Sequence, residues 1–271
     1  FLVHPGRRIL SIGYDVHARR IHESCYDMLA SEASTASFLE VARGEMDQQG
    51  WLRLGRDFTH AFGKHVLMSW TGTMFEYLMP ALWMRSYPNT LVSDSLAGAV
   101  SVQQSFARSV GIPWGISESG SARKDDAGHY GYHAYGIPHL ALSFEADAGP
   151  VVAPYSTFLA LQIDPRESIR NLRRMASAGW VGQFGFYESV DYSTGAHNGE
   201  IVREWMAHHQ GMSLLALVNT LCDNRVQDWF HANALVQSAE LLLHEVPRSR
   251  AALNTMMKDF AFVPQRLADT A

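Results

Sequence analysis

Glu32 stands where a leucine would be expected. Cys25, Leu29, Glu32, Ala36 and Leu39 follow one another at spacings of four, three, four and three. That is one face of an α-helix, and its other four members are apolar or thiol. A carboxylate on such a stripe has to be paired, hydrogen-bonded or turned into a cavity, because burying it bare costs several kcal/mol. If it is mainly desolvated its pKa rises, which suits a general acid; the alternative is a buried ion pair with Arg19 or Arg20. Glu118, in Pro113-Trp114-Gly115-Ile116-Ser117-Glu118-Ser119-Gly120, is a second candidate. Its small neighbours leave room around the carboxylate, and Trp114 could form a flat wall. The alternative there is a solvated loop glutamate.

Further carboxylates sit among large apolar side chains: Glu76 in Trp70-Thr71-Gly72-Thr73-Met74-Phe75-Glu76-Tyr77, and Glu188 and Asp191 in Phe186-Tyr187-Glu188-Ser189-Val190-Asp191-Tyr192. Acidic and aromatic residues interleaved in this way suit a sugar cleft, where carboxylates grip hydroxyls and rings lie against C–H faces. Helix-cap and ion-pair roles are the alternatives. His208-His209-Gln210 falls within a helical pattern, where adjacent residues point about 100° apart, so the two rings do not readily share a metal. No glutamate lies between histidines at metalloprotease spacing, and no phosphate loop or Gly-x-Ser-x-Gly elbow is present. Neither a metal nor an organic cofactor is expected. Two-carboxylate glycoside chemistry fits this set better than other common reactions.

The elements that must position these groups are mostly helical. Of the 271 residues 47% are hydrophobic and 18% charged, with net charge −5. That is globular composition with nothing to favour nucleic acid or an anionic membrane. Runs such as Leu214–Val218 are too short to span a bilayer, and no signal peptide is visible. Cys25 and Cys222 read as buried thiols in helices rather than a disulfide. A short strand and turn is expected over 1–15, then helices over 17–43, 71–86 (kinked at Pro80), 92–110, 153–163, 164–178 and 200–222, with two shorter ones to about 244. Asp164-Pro165-Arg166-Glu167 is a helix start with Pro at the first position. Residues 111–152 and 179–198 lack a period; irregular stretches of that length are usually functional.

Several blocks resemble the bacterial cyclic β-1,2-glucan synthases. They are Ser11–Asp15, Tyr26–Ala33, Ser69–Pro80, Pro113–Ser119, Val152–Tyr155, Tyr187-Glu188 with Asp191-Tyr192, and Met206–Ser213, in family order over nearly the whole chain. Segments 121–129 and 143–147 read unlike the family. The resemblance implies an all-α (α/α)6 toroid of helical hairpins, the glucoamylase-like domain of the synthase. Residues 1–271 would be its C-terminal portion, with long loops forming a cleft. It further implies retaining transglycosylation that closes a linear β-1,2-glucan into a ring. Endo-β-1,2-glucanase hydrolysis and a non-catalytic glycan-binding module are the alternatives. Glu32 and Glu118 are the expected catalytic pair, Glu118 as nucleophile and Glu32 as acid/base. Trp70, Glu76, Trp114, Tyr132, Tyr155, Tyr187, Glu188, Asp191, His208, His209 and Gln210 are expected to hold or line the substrate. The implied partners are a β-glucan oligosaccharide or polysaccharide and the other domains of a membrane-anchored synthase. The implied location is the cytoplasmic side of the inner membrane, or the periplasm for a stand-alone glucanase.

Overall fold

The computed structural model describes residues 1–30, 33–143, 149–196 and 198–246. Among these the chain is helix-rich. A bridge-and-turn segment carries β1 (Tyr14–Asp15) and β2 (Arg20–Ile21), and is followed by α1 (Ala33–Ala42) and α2 (Gln48–Arg53). A hairpin of β3 (Phe58–Ala61) and β4 (Lys64–Leu67) precedes α3 (Met74–Leu78) and the long α4 (Leu91–Val110). A second hairpin, β5 (Ser119–Lys124) and β6 (Tyr130–His133), leads through β7 (Val151–Val152) to α5 (Pro154–Leu159) and α6 (Pro165–Ser177). Then come β8 (Val181–Gly182), β9 (Gly185–Phe186), β10 (Ser189–Asp191), β11 (Glu200–Val202), α7 (Ala207–Leu221), α8 (Arg225–His231) and α9 (Ala234–Ala239).

The helices carry the main mass, as expected, and their punctuation follows the sequence. Pro80 ends α3 and starts a single 3-10 turn, Pro80–Leu82, because its ring cannot continue the ladder. Thr90 and Ser93 form a capping box at the start of α4, and Gly111, at φ +80°, ends it in the left-handed region open to glycine. Asp164 accepts the Glu167 amide with Pro165 at the first position of α6. One continuous apolar core, with Phe38, Trp51, Tyr77, Leu96, Ile116 and Ile137 fully buried, runs through these elements.

Several expectations need correction. Among the described residues, the helix expected over 17–43 is present as Ala33–Ala42 and absent from 17–30. Before it the chain makes β2, an isolated bridge from Ser11 to Cys25, and a turn at Met28–Ala30. The apolar spacing of Cys25 and Leu29 is therefore not a helical stripe. Met28 and Leu29 are buried from a turn, which sequence periodicity alone does not distinguish from helix. The helix expected from residue 200 begins at Ala207, because Glu200–Val202 pairs with Ser189–Asp191 as an antiparallel strand. Small antiparallel sheets accompany the helices: β5 to β10 lie within the two stretches expected to be irregular, while β11, the edge of the three-stranded β11–β10–β7, takes the start of an expected helix. Both cysteines are free thiols, but neither is the buried helical thiol expected: Cys222 is exposed at the C-terminal cap of α7, and Cys25 is half-buried in a bridge to Ser11.

Candidate active site

The segment 114–122 crosses the core with its backbone held by side chains rather than by a sheet on both sides. The buried Asn171 of α6 donates Nδ2–H to the Trp114 carbonyl at 2.8 Å. From α4, Gln103 clasps Ile116, donating to its carbonyl at 2.8 Å and accepting its amide at 3.0 Å. At the next even position, the Tyr155 hydroxyl donates to the Glu118 carbonyl at 2.9 Å. The Gly120 amide donates to Glu188 Oε1 at 3.1 Å, and the Ala122 amide to Asp191 Oδ2 at 3.0 Å. In extended chain, alternate residues present their polar groups to the same edge, so side chains from α4, α5, α6 and β10 can replace a neighbouring strand.

Glu118 projects from this segment into a cavity of about 370 Å³, whose walls include Asp27, Ala30, Trp70, Thr71, Glu76 and Ala134. Its Oε1 accepts the Tyr132 hydroxyl at 2.6 Å, across the β5–β6 hairpin. That length belongs to an O–H donor on a charged acceptor. Burial, and then the bond and charge of Glu118, push the Tyr132 hydroxyl well above its ordinary pKa, so it stays a donor. Trp70 is 51% exposed on the same cavity. Ala30 stands at its edge, and the chain continues from there to Ser31 and Glu32, which lie outside the described residues.

Glu76 is buried, and its carboxylate accepts the amides of Thr71 and Thr73, closing a capping box on α3. Burial raises its pKa against the opposing hydrogen bonds from Ser69 and Thr71. Glu76 therefore fixes the Thr71 turn while contributing to the cavity wall. Asp27 also lines this cavity. Burial, and then the charge of Asp57, raise its pKa. The sequence reading missed Asp27 because nothing local marks it; Asp57 is thirty positions away.

A second cavity of about 230 Å³ lies between α5, β9 and α7, bounded by Tyr155, Tyr187, Glu188, His209 and Gln210. Tyr155 joins the two regions. Its hydroxyl meets Glu118, and its ring stacks on His209 at 3.8 Å and 8°. His209 Nδ1–H donates to both oxygens of Glu188, at 2.8 and 3.0 Å, with both side chains 1% exposed. His208 is exposed, 6.4 Å from the Tyr132 ring. Burial, and then His209, lower its pKa against the pull of Glu188 and Glu118. Tyr187 packs on Trp205 and under Arg203.

Two expected substrate contacts are placed elsewhere. Trp114, 6% exposed, belongs to the core and is no wall beside Glu118, since Asn171 and Thr157 hold its carbonyl. Asp191 is fully buried; Ser193 amide and hydroxyl occupy one oxygen and Ala122 the other, so it is a backbone clamp. Glu204 escaped the sequence reading. Its Oε1 is buried without a hydrogen-bond partner among the described residues, and burial followed by Glu188 raises its pKa. No group of three or more His, Cys, Asp or Glu suited to a metal occurs among the described residues.

The Glycoamylase family model matches residues 25–234, most of the chain. The chain belongs to this glucoamylase-like family of glycoside-hydrolase-type enzymes. It is 39% identical over 249 residues to the cyclic beta-(1,2)-glucan synthase NdvB of Rhizobium meliloti strain 1021, covering 90% of this chain and 9% of that protein. The chain thus spans about a tenth of that relative. The fold is shared with an endo-beta-1,2-glucanase from Chitinophaga pinensis, solved with sophorotriose and glucose. There the TM-score is 0.64 and the identity 15%, over 88% of this chain and 59% of that one. It is also shared with an endo-beta-1,2-glucanase from Talaromyces funiculosus solved with sophorose, at TM-score 0.54 and 18% identity, over 74% and 42% of the two chains. No helix among the described residues is long and apolar enough to cross a membrane.

Proposed function

We propose that this chain is the C-terminal part of a toroidal catalytic domain that cuts β-1,2-glucan and rejoins it to itself, closing a linear chain into a ring. The observation that carries this reading is Glu118, whose carboxylate faces a cavity, holds a charge-assisted bond from Tyr132, and lies on a backbone clamped at every second residue. The 39% identity to a cyclic β-1,2-glucan synthase supports the substrate class. In the retaining sequence, the Glu118 carboxylate attacks the anomeric carbon as a second carboxyl protonates the departing glycosidic oxygen. The 2-hydroxyl at the other end of the same glucan then attacks the glycosyl ester, giving its proton to that second group and releasing Glu118. Glu32 is the proposed partner, and its carboxyl should lie roughly 5–5.5 Å from that of Glu118. The protein works within a longer polypeptide, on the cytoplasmic side of the inner membrane.

The test is incubation of the complete polypeptide with linear β-1,2-glucan and mass spectrometry of the products. Products lighter by one water than the linear glucan with the same number of glucose units, together with the reducing-end piece released in the first step, indicate ring closure. Short linear pieces would replace transfer by hydrolysis, and unchanged glucan bound to the protein would leave a binding module.

A further inference from the structure

Each even-numbered residue from 114 to 122 has a backbone group bonded to a side chain from elsewhere in the fold, and only at 118 does this edge carry a side chain with chemistry. The protons around it have one consistent order. The Phe75 amide donates to Ser117 Oγ at 3.0 Å, Ser117 Oγ lies 2.8 Å from the Tyr155 hydroxyl, and that hydroxyl donates to the Glu118 carbonyl. Since Tyr155 has one proton and gives it to Glu118, the Ser117 hydroxyl donates to Tyr155. The Tyr155 ring is in turn fixed by its stack on His209. His209 is held by Glu188, and Glu188 holds the Gly120 amide, two residues from Glu118. A closed circuit thus runs from Glu118 through Tyr155, His209, Glu188 and Gly120 back to Glu118. Ser189 adds a bond to the Gly120 carbonyl at 2.5 Å.

We propose that Glu188 and His209 are positioning residues: their buried pair sets the place of Glu118 from both sides, and neither touches the glucan. The two Glu188 oxygens share the His209 Nδ1–H, Oε1 also accepts the Gly120 amide, and the residue is only 2% exposed although it borders the smaller cavity, so its carboxylate is committed to these two partners. The pair closes the clamp by its shape. A glutamine at 188 keeps an acceptor for the Gly120 amide but sets an N–H against the His209 Nδ1–H. An alanine loses both bonds. A phenylalanine at 209 keeps a ring against Tyr155 but leaves Glu188 without its donor.

This inference rests on the reading of Glu118 as a reacting carboxylate, and the experiment separates the two. In the complete polypeptide, Glu188→Ala is expected to lower kcat on linear β-1,2-glucan about 100-fold, the scale of an ångström misplacement, with KM nearly unchanged. Glu188→Gln and His209→Phe are expected to fall between it and wild type. In a Glu118→Gln background, calorimetry with a linear β-1,2-glucan oligosaccharide should give the same Kd with and without Glu188→Ala. Hydrogen exchange at the Gly120 amide should quicken in Glu188→Ala and stay slow in Glu188→Gln. A Kd raised tenfold with Gly120 exchange unchanged would make Glu188 a substrate ligand and overturn the proposal. If Glu188→Ala does not fold, Glu188→Gln and His209→Phe carry the same readouts. Should the wild type leave β-1,2-glucan untouched, the proposed function fails while the exchange result still decides the circuit.

Discussion

Replacing Tyr132 by phenylalanine removes one hydroxyl and leaves the ring that faces His208 and His209. The lost bond is the 2.6 Å contact with Glu118 Oε1. Hydrogen bonds to a charged group contribute about 1.5–3 kcal/mol. Tyr132 is 45% exposed, so water reaches the bared oxygen and recovers part of that sum. The lower end, about 1.5 kcal/mol, corresponds to roughly tenfold in kcat. KM should move little, because the hydroxyl binds the enzyme's own carboxylate. Burial and Glu118 hold the hydroxyl protonated well beyond its ordinary range, so Tyr132 should give no alkaline limb to the wild-type pH profile. Initial rates on linear β-1,2-glucan, from mildly acidic to mildly alkaline pH, measure both effects. An unchanged kcat would refute the assignment of Tyr132 as the group that holds Glu118, as would a raised KM with full kcat.

Azide distinguishes the roles of the two catalytic candidates. With Glu118→Ala, azide in the nucleophile's place should yield an α-glycosyl azide from the β-linked substrate. With Glu32→Ala it should intercept the glycosyl ester and yield the β-azide, and the opposite products would exchange the roles. Glu204→Gln should stabilise the fold increasingly as pH rises. The raised folded-state pKa of Glu204 means its contribution is complete below the ordinary value of 4.5 and is lost as pH climbs through the folded one, whereas glutamine does not ionise. A melting-temperature difference that stays flat with pH would contradict this. A Cβ at Gly120 would lie 2.6 Å from Glu204 Oε1 and 3.2 Å from Glu188 Cγ. Gly120→Ala should therefore cost about 1–3 kcal/mol in chemical denaturation and lower kcat, and a variant of wild-type stability would show that the clamp yields.

The helical stripe through Cys25 and Leu29 that pointed to Glu32 as the acid does not form: those residues lie in a bridge and a turn. The case for Glu118 as the charged partner gains instead from Tyr132, fourteen residues on, which only the β5–β6 hairpin brings back to it.

Local signals were legible in the sequence because local physics sets them. Pro80 and the Asp164-Pro165 helix start act within a few residues of themselves, and a helix stops at the one and starts at the other. The acidic and aromatic settings of Glu76, Glu118 and Glu188, and the helical pattern around His209, were equally plain. What each carboxylate does was decided by tertiary contacts. Glu188, Asp191 and Glu118 look alike as acids among aromatics. Yet the first is held by His209 and Gly120 even where it borders a cavity, the second is closed by Ser193 and Ala122, and the third faces the larger cavity with Tyr132 as its side-chain partner. Those partners are up to 69 positions away along the chain. No local pattern encodes which buried amide a carboxylate will meet, because that pairing exists only when α4, α5, α6 and β10 have packed around residues 114–122.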